Sequence, residues 1–196
     1  MKNFYTIIPI LIALSVGVYF SLTVDEKKVT NNNNTYPNYS NEVLGIEFAY
    51  RAGPDGYVIQ EHFVSKSAED LLGTIVLMRT EDAERPMPVG GEGPATITIQ
   101  VLKNSKKQQS EAWANANNIY SNINLKTGEV SEYVLGGANA IRYSATGLYE
   151  SDNVVVAHGE NVYVLSGNYM DAESDLRKDF TPLLESVRFI PQPRQN

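Results

Sequence analysis

Cysteine is absent from the 196 residues, which excludes disulfides, thiolate zinc sites, a cysteine nucleophile and a lipid-modified N-terminal cysteine. Histidine is almost as scarce. His62 and His158 are the only two, too few for a multi-histidine metal centre. Positive charge is short as well: 16 Lys and Arg stand against 23 Asp and Glu, a net charge of -7. Setting aside residues 1–24, where Lys2 is the one charged residue, leaves -8. So acidic a domain repels phosphate backbones and anionic lipid head groups. Its one basic cluster, Lys103, Lys106 and Lys107, falls in a polar connector, so no nucleic-acid partner is expected.

Long apolar runs are missing too, with one exception. From Phe4 to Val24 no side chain is charged. As a helix this stretch spans about 30 Å, the thickness of a bilayer core. Lys2 before it and Asp25-Glu26 after it orient the N-terminus towards the cytoplasm. Two readings fit: a retained signal anchor, or a signal peptide cleaved after the small-x-small triplet Ser15-Val16-Gly17. Either places the rest of the chain outside the cytoplasm, in a single-pass or a secreted form. Residues 25–42, with Asn31 to Asn34 and Pro37, read as a flexible tether. Asn33-Asn34-Thr35 and Asn38-Tyr39-Ser40 match the glycosylation triplet, as Asn-rich composition produces by chance.

Hydrophobic residues make up 42% of the chain, enough for a packed core over residues 43–190. Ile46, Phe48 and Tyr50 alternate with polar or small neighbours, and Tyr57 to Val64 resumes after Gly53-Pro54-Asp55-Gly56. The continuous run Leu72 to Met78 predicts a central strand covered on both faces. Residues 80–94, rich in Pro, Gly and acid, predict a long mobile loop. Ile97, Ile99 and Val101 form a half-buried strand. Trp113, Ala116, Tyr120 and Ile123 share one helical face, which predicts a helix over Ser110 to Ile123 with Ser110 as N-cap. Further strands are expected at 129–135, 139–149, 153–158 and 161–169, the last two joined through Gly159-Glu160. Leu176, Phe180, Leu183, Leu184 and Val187 mark a final helix, with a kink or fresh start at Pro182. Residues 191–196 form a tail. The pattern describes an α+β domain, an antiparallel β-sheet packed by helices.

No stretch carries a catalytic signature. His158 lacks the Gly-x-Ser-x-Gly turn of a Ser-His-Asp hydrolase and reads as a turn histidine. Gly90-Gly91-Glu92-Gly93 leads into a strand rather than a helix, unlike a phosphate cradle. Asp171, Glu173 and Asp175 lack the Gly and closing Glu of a calcium loop and read as a helix start. Surface-contact candidates are Glu81, Asp82, Glu84 and Arg85 in the long loop, and Tyr149 and Tyr169 among the strand tyrosines.

Four segments resemble the PsbP-like domain superfamily: Leu44-Gly45-Ile46-Glu47-Phe48-Ala49-Tyr50, Ser110-Glu111-Ala112-Trp113, Gly136 to Tyr143, and Phe180 to Phe189. The family's usual first-strand Pro-x-x-Trp is replaced by Arg51 to Tyr57, and no functional residue carries over. The resemblance implies an α/β/α sandwich around an antiparallel sheet and a non-catalytic accessory or binding role, with no cofactor. Together with the leader, this predicts a membrane-tethered extracytoplasmic domain that binds a protein partner or envelope component. The alternative is a small-molecule or metal-binding sensor or carrier in the cell envelope.

Overall fold

Alternation of apolar and polar side chains builds two antiparallel sheets. The computed structural model describes residues 36–63, 70–86 and 92–192. The expected leader, residues 1–24, lies outside the described residues, and among these no helix is long and apolar enough to cross a membrane. The smaller sheet has three strands, β1 (Asn38–Asn41), β2 (Ile46–Ala49) and β10 (Arg188–Phe189), with β2 in the middle. The larger has seven: β3 (Tyr57–Phe63), β4 (Leu71–Arg79), β5 (Thr96–Lys103), β6 (Ser131–Leu135), β7 (Ala138–Thr146), β8 (Glu150–His158) and β9 (Asn161–Tyr169), in the order β3-β4-β5-β9-β8-β7-β6. The helices are α1 (Thr80–Ala83), α2 (Ser110–Ala116), α3 (Asn118–Ser121) and α4 (Asp175–Ser186).

Each face of the large sheet carries its own core. On one face Ile75, Leu77, Ile97, Ile99, Val154 and Leu165 pack against Leu176, Phe180 and Leu183 of α4 and against Ile46 and Phe48 of the small sheet. On the other face Ile141, Tyr143, Val155, Val162 and Val164 pack against Trp113 and Ala114 of α2 and Ile123. The domain is thus layered, helix on sheet on helix, and it is an α+β fold. Phe180 lies so close to β9 that a Cβ at Gly167 would stand 2.8 Å from its ring.

Several expectations change in detail. The strands covered on both faces are β8 and β9, where Ser151 to Val156 and Asn161 to Leu165 are continuously buried. Strand β4 buries only Gly73, Ile75 and Leu77 fully, because no helix among the described residues lies over its second face. Ordered strand structure begins earlier than expected, inside the stretch read as tether, since Asn38–Asn41 pairs with β2 and Tyr39 stacks on Phe48 with ring centroids 4.9 Å apart. Residues 80–94 are not all loop, as Thr80–Ala83 forms one helical turn.

The single helix expected over 110–123 is broken at Asn117, and a left-handed Asn122 (φ 54°) separates α3 from a 3-10 turn at Ile123–Leu125. Ser110 is the first helical residue rather than the cap. It is buried, and its hydroxyl donates to the Asn139 carbonyl and accepts from the Ala157 N–H, both at 3.0 Å. That tie to β7 and β8 takes the oxygen away from capping. Helix α4 runs on through Pro182. The carbonyl that proline leaves without its helical partner is that of Lys178 on the exposed face, where water can satisfy it.

Candidate functional site

The turn Gly53 to Gly56 ends where β3 begins, and its chain folds tightly enough that a Cβ on Gly56 would stand 2.4 Å from the Arg51 carbonyl oxygen. Only glycine fits there. Thr80 locks this turn to α1: its Oγ1 donates to the Gly53 carbonyl at 2.8 Å and its N–H to the Gly56 carbonyl at 3.1 Å. Directly across the sheet, Tyr57 pairs with Arg79, so their side chains share one face, and the Arg79 guanidinium lies 5.7 Å from the Tyr57 ring centroid.

Helix α4 supplies the acidic partners. Asp179 Oδ2 accepts from Arg51 Nη2 at 2.6 Å and from the Tyr57 hydroxyl at 2.8 Å. Asp175, one turn earlier, lies 3.7 Å from Arg51 and 3.8 Å from Arg79. Two guanidinium nitrogens, Arg51 Nε and Arg79 Nη1, are buried without a hydrogen-bond acceptor. Burial, then the hydrogen bond to Asp179, pushes the Tyr57 hydroxyl well above the usual tyrosine range. Burial opposes the charge of Arg51, but Asp179, Tyr57 and Asp175 outweigh it and raise its pKa. The cluster is therefore a fixed ionic frame, with Tyr57 held as a neutral donor.

Two depressions open on either side of Tyr57. One is a cleft of about 140 Å³ between α4 and the sheet, walled by Tyr50, Tyr57, Leu77, Ile97, Pro182 and Leu183, with Arg51 and Asp179 at one side and Tyr36 at its rim. The other is a shallow groove of about 360 Å³ lined by Gly53, Pro54, Tyr57, Val58, Thr80, Glu81 and Glu84.

The six contact candidates separate into three places. Glu81 and Glu84 line the groove. Asp82 and Arg85 sit beside it, with Arg85 3.3 Å from Asp82 and 3.4 Å from Glu81. Tyr149 is half-buried and donates its hydroxyl to the Gly93 carbonyl. Tyr169 is only 5% exposed, with the Arg177 guanidinium 4.6 Å over its ring and Arg177 Nε bonded to buried Asp152 at 3.0 Å. Its ring is committed to that packing. Elsewhere, His158 stacks on Phe189 with centroids 4.3 Å apart, and Asp175 opens α4 behind the Ser174 cap. Among the described residues no three His, Asp or Glu side chains gather as a metal-ligand set.

Sequence reasoning missed Arg51, Tyr57, Arg79 and Asp179. The one linear signal was the i, i+4 spacing of Asp175 and Asp179, which puts both carboxylates on one face of α4.

No protein-family description and no curated protein matches the chain. Among solved structures, the chain is similar to the solution structure of cyanobacterial PsbP (CyanoP) from Synechocystis sp. PCC 6803, with a TM-score of 0.52 and 10% sequence identity, covering 83% of this chain and 98% of that one. At that identity the likeness defines the fold. The chain has a PsbP-like fold, as its four sequence segments implied.

Proposed function

We propose that this chain presents a non-catalytic PsbP-like domain on the extracytoplasmic side of a membrane, held there by residues 1–24, and that the domain docks a protein partner at the depressions flanking Tyr57. The cleft carries this reading. At about 140 Å³ it falls below the roughly 300–1,000 Å³ of small-molecule pockets, yet it suits a single apolar side chain from a partner surface. Its wall is built of rings and aliphatic groups, and its polar edge is fixed by Arg51, Asp179 and Tyr57. An anchor of this kind, with a charged rim, is the anatomy of a protein interface. The cleft is too small to enclose a diffusible ligand, and the larger groove of about 360 Å³ is shallow and open rather than enclosing.

Residues 25–35 reach at most about 40 Å when extended, so a retained anchor keeps the docking face and its partner close to the bilayer. The test is the full-length chain in its host. The expected result is a full-length mass in the membrane fraction, digestion by protease added from outside, and migration on a native gel as a larger complex that Tyr36→Asp returns to the monomer. Recovery in the cytoplasm, or a monomer under every condition, would overturn the proposal.

A further inference from the structure

The groove beside the cleft has a chemistry of its own. Its apolar lining is Pro54, Val58 and the small exposed part of Tyr57, its rim carries Glu81 and Glu84, and no basic residue lines it. The charge around it is unbalanced. Asp55, Glu81, Asp82, Glu84, Asp175 and Asp179 are set against Arg51, Arg79 and Arg85, three carboxylates too many. Each arginine already has a carboxylate within 4.0 Å: Arg51 turns to Asp179, Arg79 lies near Asp175 and Glu81, and Arg85 reaches Asp82 and Glu81. Glu84 has no side-chain partner among the described residues. The contacts to Glu81 are long, 3.4 Å from Arg85 and 4.0 Å from Arg79, so its oxygens keep acceptor capacity.

We infer that this groove receives a lysine or arginine side chain from a basic segment of the docking partner, an inference that rests on the partner-docking function proposed above. An aliphatic stem lies along Pro54 and Val58, beside the small exposed part of Tyr57, while the charged head meets Glu81 and Glu84, the division of labour by which long basic side chains cover apolar surface. A bare metal ion uses the two carboxylates and leaves the apolar wall idle, and an anion is repelled by the excess negative charge. The site already shows the matching contact from within, where the Arg79 guanidinium sits by the Tyr57 ring. Thr80 holds both walls in register through its two bonds to the Gly53–Gly56 turn, so the groove is formed before anything enters it.

The probe is a fluorescent peptide, acetyl-Gly-Lys-Gly-Lys-Gly-amide, titrated into the full-length protein in detergent micelles at low salt, beside the same peptide with both lysines acetylated. Saturable binding is expected, weakened about tenfold by lysine acetylation and about tenfold by the paired change Glu81→Gln and Glu84→Gln. Glu173→Gln, an exposed carboxylate near the start of α4 and outside the groove, should change it less than about twofold. Equal binding of the acetylated peptide would overturn the inference by showing that charge plays no part, and an equal loss with Glu173→Gln would overturn it in favour of a diffuse field. A partner complex that Tyr36→Asp disrupts, together with no lysine-peptide binding, would overturn the basic partner and leave the docking function standing. Loss of both would remove both.

Discussion

Replacing Asp179 with alanine probes whether the frame behind the proposed docking face is held by its ion pair. The carboxylate accepts from Arg51 at 2.6 Å and from the Tyr57 hydroxyl at 2.8 Å, and its side chain is 18% exposed against 32% for Arg51. A pair so placed lies between surface ion pairs, worth about 0.2–1 kcal/mol, and buried ones, whose breaking costs about 3–5 kcal/mol. Alanine also strands the Tyr57 hydroxyl, a hydrogen bond contributing about 1 kcal/mol net. It leaves Arg51, whose Nε already lacks an acceptor, with Asp175 as its nearest carboxylate at 3.7 Å. The expected loss is about 2–3 kcal/mol, read as a lower urea midpoint at unchanged slope. Arg51→Ala and the double variant complete a cycle in which a coupling of about 1–2 kcal/mol is expected. A coupling under about 0.3 kcal/mol would refute the reasoning, because solvent would then screen the pair and the frame would stand without it.

Trp113→Ala should destabilise the domain by about 3–5 kcal/mol, since the ring is buried in the core beneath α2; unchanged chemical denaturation would contradict that placement. Gly167→Ala should cost about 1–3 kcal/mol, because the new methyl meets the base of the buried Phe180 ring rather than a flexible end; a neutral result would mean that α4 is free to shift away from β9. Stability should also fall in alkali. Burial raises the pKa of Tyr39, Tyr50, Tyr57, Tyr143, Tyr163 and Tyr169 in the folded state. The unfolded chain therefore releases those protons first, near pH 10. Below that pH their contribution is fully present, and above it the unfolded state binds fewer protons and gains. Phenolate absorbance should lag behind free tyrosine and then rise with unfolding, whereas a curve following free tyrosine throughout would contradict the burial.

The fold was legible wherever local pattern and tertiary contact agree. Ile97, Ile99 and Val101 alternate with Thr96, Thr98 and Gln100, and the first set is buried while the flanking threonines and glutamine are half-exposed. The run Leu72 to Met78 looked like Val154 to Val156 in sequence, yet only the latter has a helix over its second face, a fact fixed by where α2 lands. Strand β1 carries no apolar alternation of its own and exists through its pairing with β2 and the stacking of Tyr39 on Phe48. Asn117 and Asn122 interrupt a helical face that apolar spacing alone read as continuous.

The site was legible only in part. Glu81 and Glu84 stood out as acidic residues in a polar stretch. The ionic frame behind them joins Arg51, Tyr57, Arg79 and Asp179, spread over 128 residues of sequence, and no linear motif connects them. They meet because β3 and β4 pair at Tyr57 and Arg79, and because α4 packs across the same end of the sheet.

The most direct test of partner docking is site-specific photo-crosslinking of the full-length chain in its host, with a photoreactive residue placed at Tyr36 or at Ile119. Tyr36 is 54% exposed at the rim of the cleft, and Ile119 is 80% exposed on α3, over the opposite face of the large sheet. Docking at the Tyr57 depressions predicts a discrete crosslinked species from Tyr36 in the membrane fraction, lost when Tyr57 is also replaced by alanine, and none from Ile119. Crosslinks from Ile119 alone, or none from either position, would contradict it.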